Sequence, residues 1–132
     1  MKRREVINMK EIFTEKAPEA IGPYSQAMVA GDFVFASGAI GVDPATGDIA
    51  DDVRGQTNQV MNNLKEVLAG AGTDFSKVVK FTIYLNSMDD FATVNETYGA
   101  FLEKPYPARA TVEVSRLPKD LLVEIDAIAY LK

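Results

Sequence analysis

The run LLVEIDAIAY, residues 121–130, constrains the fold more than any other stretch of the chain. Read as a strand, it sends Val123, Ile125, Ala127 and Ala129 to one side and Leu122, Ile128 and Tyr130 to the other, so both sides are apolar. FVFAS, residues 33–37, behaves alike, with Phe33 and Phe35 opposed to Val34 and Ala36. Strands of this kind belong inside a sheet that is covered on both faces.

Helices supply one cover. Val53, Thr57, Val60, Met61, Leu64, Val67, Leu68 and Ala71 recur at three- and four-residue steps, a single apolar stripe with Asp51 or Asp52 placed to cap its start and Gly70 and Gly72 bracketing its end. Met88, Phe91, Val94, Tyr98, Phe101 and Leu102 form a second stripe, opened by Ser87 with Asp90 three residues on, the spacing of a capping box. Between the stripes lies the strand VVKFTIYL, residues 78–85, and after them ATVEVS and the closing strand. Met28–Ser37 reads as a hairpin turning at Gly31-Asp32. The order β-β-α-β-α-β-β asks for an α+β domain: a single mixed β-sheet with two helices packed on one face. With 132 residues there is room for one such core, placed at residues 12–132 behind a polar N-terminal extension, residues 1–11. The second apolar face then requires either self-association or a strongly curled monomeric sheet.

Composition narrows the chemistry. The chain has no cysteine and no histidine, which removes disulfides, thiolate nucleophiles, the commonest metal ligand and the usual general base near neutral pH. Carboxylates, Tyr, Ser and Thr, Lys, Arg, backbone groups and water remain. A net charge of -5, spread along the chain, argues against nucleic acid as a partner. No apolar run reaches the ~18 residues of a membrane span, and MKRREVINMKEIF lacks the apolar segment of a secretory signal, so the expected location is cytoplasmic. GAIG and AGAG lack the placement of a nucleotide-binding fingerprint, and Asp51, Asp52, Asp89 and Asp90 read as helix-start residues rather than metal ligands.

Five residues stand out. Arg109, in PYPARATVEV, is delivered by two prolines to the mouth of a strand. It either snorkels at the rim and pairs with Glu113 on the same side, or presents a planar fork to a carboxylate. Glu124 alternates with Asp126 on a mostly apolar strand, and a half-buried carboxylate there suits proton transfer; spacing alone does not choose between the two. Tyr24 sits in the IGPYSQ loop, Ser37 ends the VFAS strand without an activating histidine, and Asn95 lies beside Phe91 and Tyr98 on the second helix. Each has an ordinary structural reading as packing, capping or solvated surface.

Taken together, APEAIGPYSQA, FASGAIGVDPATG, QTNQVMNNLKEVLAGAG, VVKFTIYLNSMDDFATVNETY, YPARATVEVSRLPKD and VEIDAIA resemble the RidA family of imine/enamine deaminases (YjgF/YER057c/UK114), from Ile12 to Leu131 in unbroken order. The resemblance implies a fold like the bacillus type of chorismate mutase, assembled as a homotrimer with a ligand cleft at each subunit interface. It implies hydrolysis of 2-imino or 2-enamino acids such as 2-iminopropanoate and 2-iminobutanoate to 2-oxo acids and ammonia, a metabolite damage control step in amino acid metabolism, with no metal and no cofactor. By position, Arg109 resembles the family arginine that binds the substrate carboxylate and Glu124 the carboxylate that activates water. Tyr24, Ser37 and Asn95 match pocket positions. Thr111 stands where many members have Cys or Thr, and Ala39 where many have Gln, which bears on substrate range. A binder or sensor of small 2-oxo acids, trimeric but not catalytic, is the alternative from another class.

Overall fold

The computed structural model describes residues 9–132. Strands Met9–Ile12 (β1), Ala27–Ala30 (β2) and Phe33–Ile40 (β3) precede helix Val53–Gly70 (α1), strand Val78–Leu85 (β4), helix Phe91–Gly99 (α2) and strands Ala108–Glu113 (β5) and Val123–Tyr130 (β6). All six strands form one sheet in the order β1-β2-β3-β6-β4-β5; β4 and β5 run parallel and every other neighbour pair is antiparallel. The α+β class, with one mixed sheet and two helices, is as the sequence implies. The sheet holds one strand more than the expected order, because Met9–Glu11, counted with the polar extension, belong to β1. MKEI has no strand-like alternation to betray it; it is an edge strand held by its backbone pairing to β2, with three of its four side chains exposed. Residues 1–8 of that extension lie outside the described residues.

The core lies between one sheet face and both helices. Val34 and Ala36 of β3, Phe81, Ile83 and Leu85 of β4 and the four odd-numbered apolar residues of β6 are buried against Val60, Met61, Leu64 and Leu68 of α1 and Val94 and Tyr98 of α2. Tyr98 meets Phe81 edge-on at 5.2 Å between ring centroids, which ties α2 to the centre of the sheet. Asp52 caps α1 by accepting from the Gly55 N–H, and Gly72, at φ +86°, ends it in the left-handed conformation that the sequence spacing asks for.

Ser87 accepts from the Asp89 N–H and starts a 3-10 turn, Met88–Asp90, that leads into α2. The capping box with Asp90 is not what completes it: Glu113 of β5 accepts from the Met88 N–H at 2.8 Å. Three buried amides fasten the loops. Gln56 and Asn63, in phase with the α1 stripe, bond to Ala50 and Leu122 and to the Ile40 and Val42 carbonyls, while Gln26 clips the 14–18 segment.

No helix among the described residues covers the opposite sheet face. Phe33 and Phe35 are 39% and 46% exposed, and the Phe33 ring packs on Tyr130 at 5.4 Å. No helix among the described residues is long and apolar enough to cross a membrane.

Candidate active site

Arg109 is the second residue of β5, in register with Phe81 of β4, and this puts it on the helix side of the sheet beneath α2. Phe91, Asn95 and Tyr98 stand at i, i+4 and i+7 on α2 and so share the helix face above it. The guanidinium lies 5.5 Å from the Phe91 ring centroid and 5.7 Å from that of Tyr98, and its Nη1 donates to Asn95 Oδ1. Two aromatic faces and one amide therefore set its plane. Burial pushes the Tyr98 phenol up, with the Arg109 charge pulling the other way.

The rim reading, in which Arg109 pairs with Glu113, is not what forms: the Glu113 carboxylate is turned to the start of the 3-10 turn. Among the described residues Arg109 takes part in no ion pair, although it opens into a cleft lined by Asn95, Leu102, Tyr106 and Pro107. The guanidinium is thus oriented beside an open cleft with no acidic partner among the described residues.

A second group forms around a β-bulge. Ala36 pairs with Ala127 and Ala39 with Ile125, so β3 inserts one extra residue at Ser37-Gly38. Ser37 Oγ donates to the Ser25 carbonyl at 2.6 Å, which fixes the loop bearing Tyr24. Tyr24, Ser37, Gly38 and Ala39 line one cavity, whose apolar floor includes Leu64 and Val67 of α1. Glu124 reaches over Gly38: a Cβ at that position would lie 2.1 Å from Glu124 Oε2. The glycine is there to let the carboxylate approach. Burial raises the Glu124 pKa above the ordinary carboxylate value, and the neighbouring Asp126 adds to it. Asp126 is occupied otherwise, accepting from the Tyr84 hydroxyl at 2.9 Å, and that bond, with burial, pushes the Tyr84 phenol up. Of the two carboxylates that sequence spacing left equal, Glu124 is the one that reaches the bulge at Gly38.

The five singled-out residues thus fall into two groups. Arg109 and Asn95 are together beneath α2; Tyr24 and Ser37 line the cavity at the bulge, and Glu124 reaches the same bulge at Gly38. Glu124 is in register with Tyr84 and Ile40, whereas Arg109 shares the parity of Phe81 and the core, so the fork and the carboxylate occupy opposite faces of the same sheet. Phe91, Tyr98, Gly38 and Tyr84 complete the two groups and are not singled out by sequence reasoning as site residues. Phe91 and Tyr98 count there only as an apolar stripe; the signal for another role is their i, i+7 spacing around Asn95.

Residues 14–131 match the family described as Endoribonuclease L-PSP. The chain belongs to this family, the RidA family. A RutC family protein of Pyrococcus horikoshii is 55% identical over 124 residues, 92% of this chain and 98% of that protein. A protein of Salmonella typhimurium named 2-iminobutanoate/2-iminopropanoate deaminase is 49% identical over 123 residues, 91% of this chain and 96% of its own. Among solved RidA-family folds, RidA of an Antarctic Psychrobacter superposes with a TM-score of 0.89 at 45% identity, and Escherichia coli TdcF with bound serine with 0.88 at 44%. Each covers 92% of this chain and 98% of the other.

Proposed function

We propose that the protein is a hydrolytic deaminase of 2-imino and 2-enamino acids, acting on substrates such as 2-iminopropanoate and 2-iminobutanoate in the cytoplasm. The observation that carries this reading is the division of the site between the two sheet faces. Arg109 is oriented with no ion pair among the described residues, and the half-buried Glu124 that could serve it lies across the sheet. A homotrimer in which the uncovered sheet faces meet brings Arg109 and Asn95 of one subunit to Tyr24, Ser37 and Glu124 of the partner subunit, and covers Phe33 and Phe35 at the same time. Relatives named as such deaminases, and a relative solved with serine bound, support a small amino-acid-like ligand.

Such chemistry needs little more than orientation. An iminium carbon is already electrophilic, so neither metal nor strong nucleophile is required. Arg109 takes the substrate carboxylate in a bidentate contact. Glu124 accepts a proton as water oxygen bonds to C2, and the C=N double bond becomes single in a carbinolamine. Protonation of that nitrogen lets ammonia leave as the C2 hydroxyl gives up its proton and becomes the 2-oxo group. Water is consumed and ammonia released, one for one. Removing the imine before it meets another enzyme's cofactor is the metabolite damage control role.

The test is an assay in which a low level of serine or threonine dehydratase generates the imine and 2-oxo acid formation is followed. Arg109→Ala and Arg109→Lys should both lose most of the acceleration, about 100-fold or more, because neither can make the charge-assisted bidentate grip that orients the substrate. Glu124→Gln should bind a 2-oxo acid yet turn over slowly. Binding of 2-oxo acids with no rate above the spontaneous one in the wild type would establish instead the reading as a binder or sensor.

A further inference from the structure

Glu124 does not stand alone on its face of the sheet. Asp126 is two residues along β6 on the same side, about 7 Å away along the strand, and both are half-buried. Tyr84 of β4 is in register with Glu124, yet its hydroxyl reaches diagonally to Asp126 Oδ2. The phenol ring therefore lies alongside Glu124 while its oxygen anchors the second carboxylate. Of the other charged groups near the bulge, Glu19 and Lys119 line the cavity that Gly38 shares with Tyr24, and the strand neighbours of Glu124 are uncharged. Ile40 and Gly38 of β3 carry no charge, Val112 lies behind Tyr84 on β5, and Thr82 is opposite Asp126. Lys80 is further along β4, opposite Ile128. Tyr24 flanks the bulge from the loop side. In the proposed assembly, Arg109 of the partner subunit faces Glu124 as well.

We infer that Asp126, anchored by the Tyr84 hydroxyl, is a positioning residue that acts on Glu124 through charge and makes it a stronger proton acceptor for the attacking water. Two anionic carboxylates side by side in a partly dry setting raise the proton affinity of the one that is free to titrate. Asp126 accepts from the Tyr84 hydroxyl, whereas Glu124 has no hydrogen-bond donor among the described residues and is left free to take the water's proton. This inference rests on Glu124 being the base, but the coupling between the carboxylates can be read without turnover.

The sign follows directly. The rate falls as pH drops through the Glu124 titration, because only the ionised form accepts a proton, and removing the neighbouring charge moves that fall to lower pH. Two measurements are made on the full-length protein: the pH profile of kcat/KM for 2-iminopropanoate hydrolysis, and the titration of the Glu124 side-chain carboxyl by carbon-13 NMR. Asp126→Asn keeps an oxygen to accept from Tyr84 and so keeps the packing, while Asp126→Glu keeps the charge. Asp126→Asn should lower both midpoints by roughly half a pH unit or more, and Asp126→Glu should leave them near the wild-type values. An unmoved Glu124 titration in Asp126→Asn overturns the inference. Glu124→Gln should abolish the acid limb of the rate profile. A limb that survives there overturns the role of Glu124 as base, while the NMR titration still decides whether Asp126 acts on it.

Discussion

At the scale of single residues, Thr111 shows how closely the site's immediate surroundings are drawn. It lies two residues beyond Arg109 on the same side of β5, and its hydroxyl oxygen is buried with no hydrogen-bond partner among the described residues. An orphaned buried hydroxyl costs about 1–3 kcal/mol, so an isosteric apolar replacement relieves it. Thr111→Val should stabilise the protein by about 1 kcal/mol, seen as a higher denaturant midpoint at unchanged slope, with KM unaltered. A ligand that uses the hydroxyl would reverse this, raising KM instead. Arg109 itself was legible in the sequence because prolines deliver it to a strand mouth. Its lack of an ion pair among the described residues was not, since Glu113 has the right spacing to pair with it and is withdrawn only by the Met88 N–H of a turn that follows a different strand.

At the scale of elements, the bulge in β3 shapes one half of the candidate site. By inserting one residue it takes Ser37 and Gly38 out of register and opens the space that Glu124 fills. Gly38→Ala places a methyl group 2.1 Å from Glu124 Oε2 and 2.7 Å from its Cδ, against the far end of a flexible side chain rather than against backbone. The fold can therefore absorb it and the carboxylate cannot. Turnover should fall about 100-fold, the scale of a misplaced catalytic group, while the thermal midpoint shifts little. A loss of stability as large as the loss of rate would mean that Gly38 serves the strand and not the site. The helices and their caps were readable because period and cap chemistry are local. The bulge, the β1 edge strand and the Glu113 contact were not, because each depends on a neighbouring strand that sequence spacing does not identify.

At the scale of the whole molecule, the decisive fact is that Arg109 and Glu124 lie on opposite faces of one sheet. Two inactive variants should therefore repair one another. When Arg109→Ala and Glu124→Gln subunits are refolded together in equal amounts, about one interfacial site in four in a cyclic assembly receives an intact residue from each side. Activity should return to about a quarter of the wild-type level, and enzyme assays on the mixture against each variant alone measure it. No recovery would place the chemistry within one chain. Residue pattern by itself determined the α+β class, the two helix stripes and the need for a second cover over the sheet, because periodicity and the count of apolar faces are properties of the chain order. Family resemblance in the sequence also marked Arg109, Asn95, Tyr24, Ser37 and Glu124. Only the tertiary structure decided which of these residues stand together, because a strand's side chains alternate between faces, and the face that matters is fixed by register with strands distant in sequence.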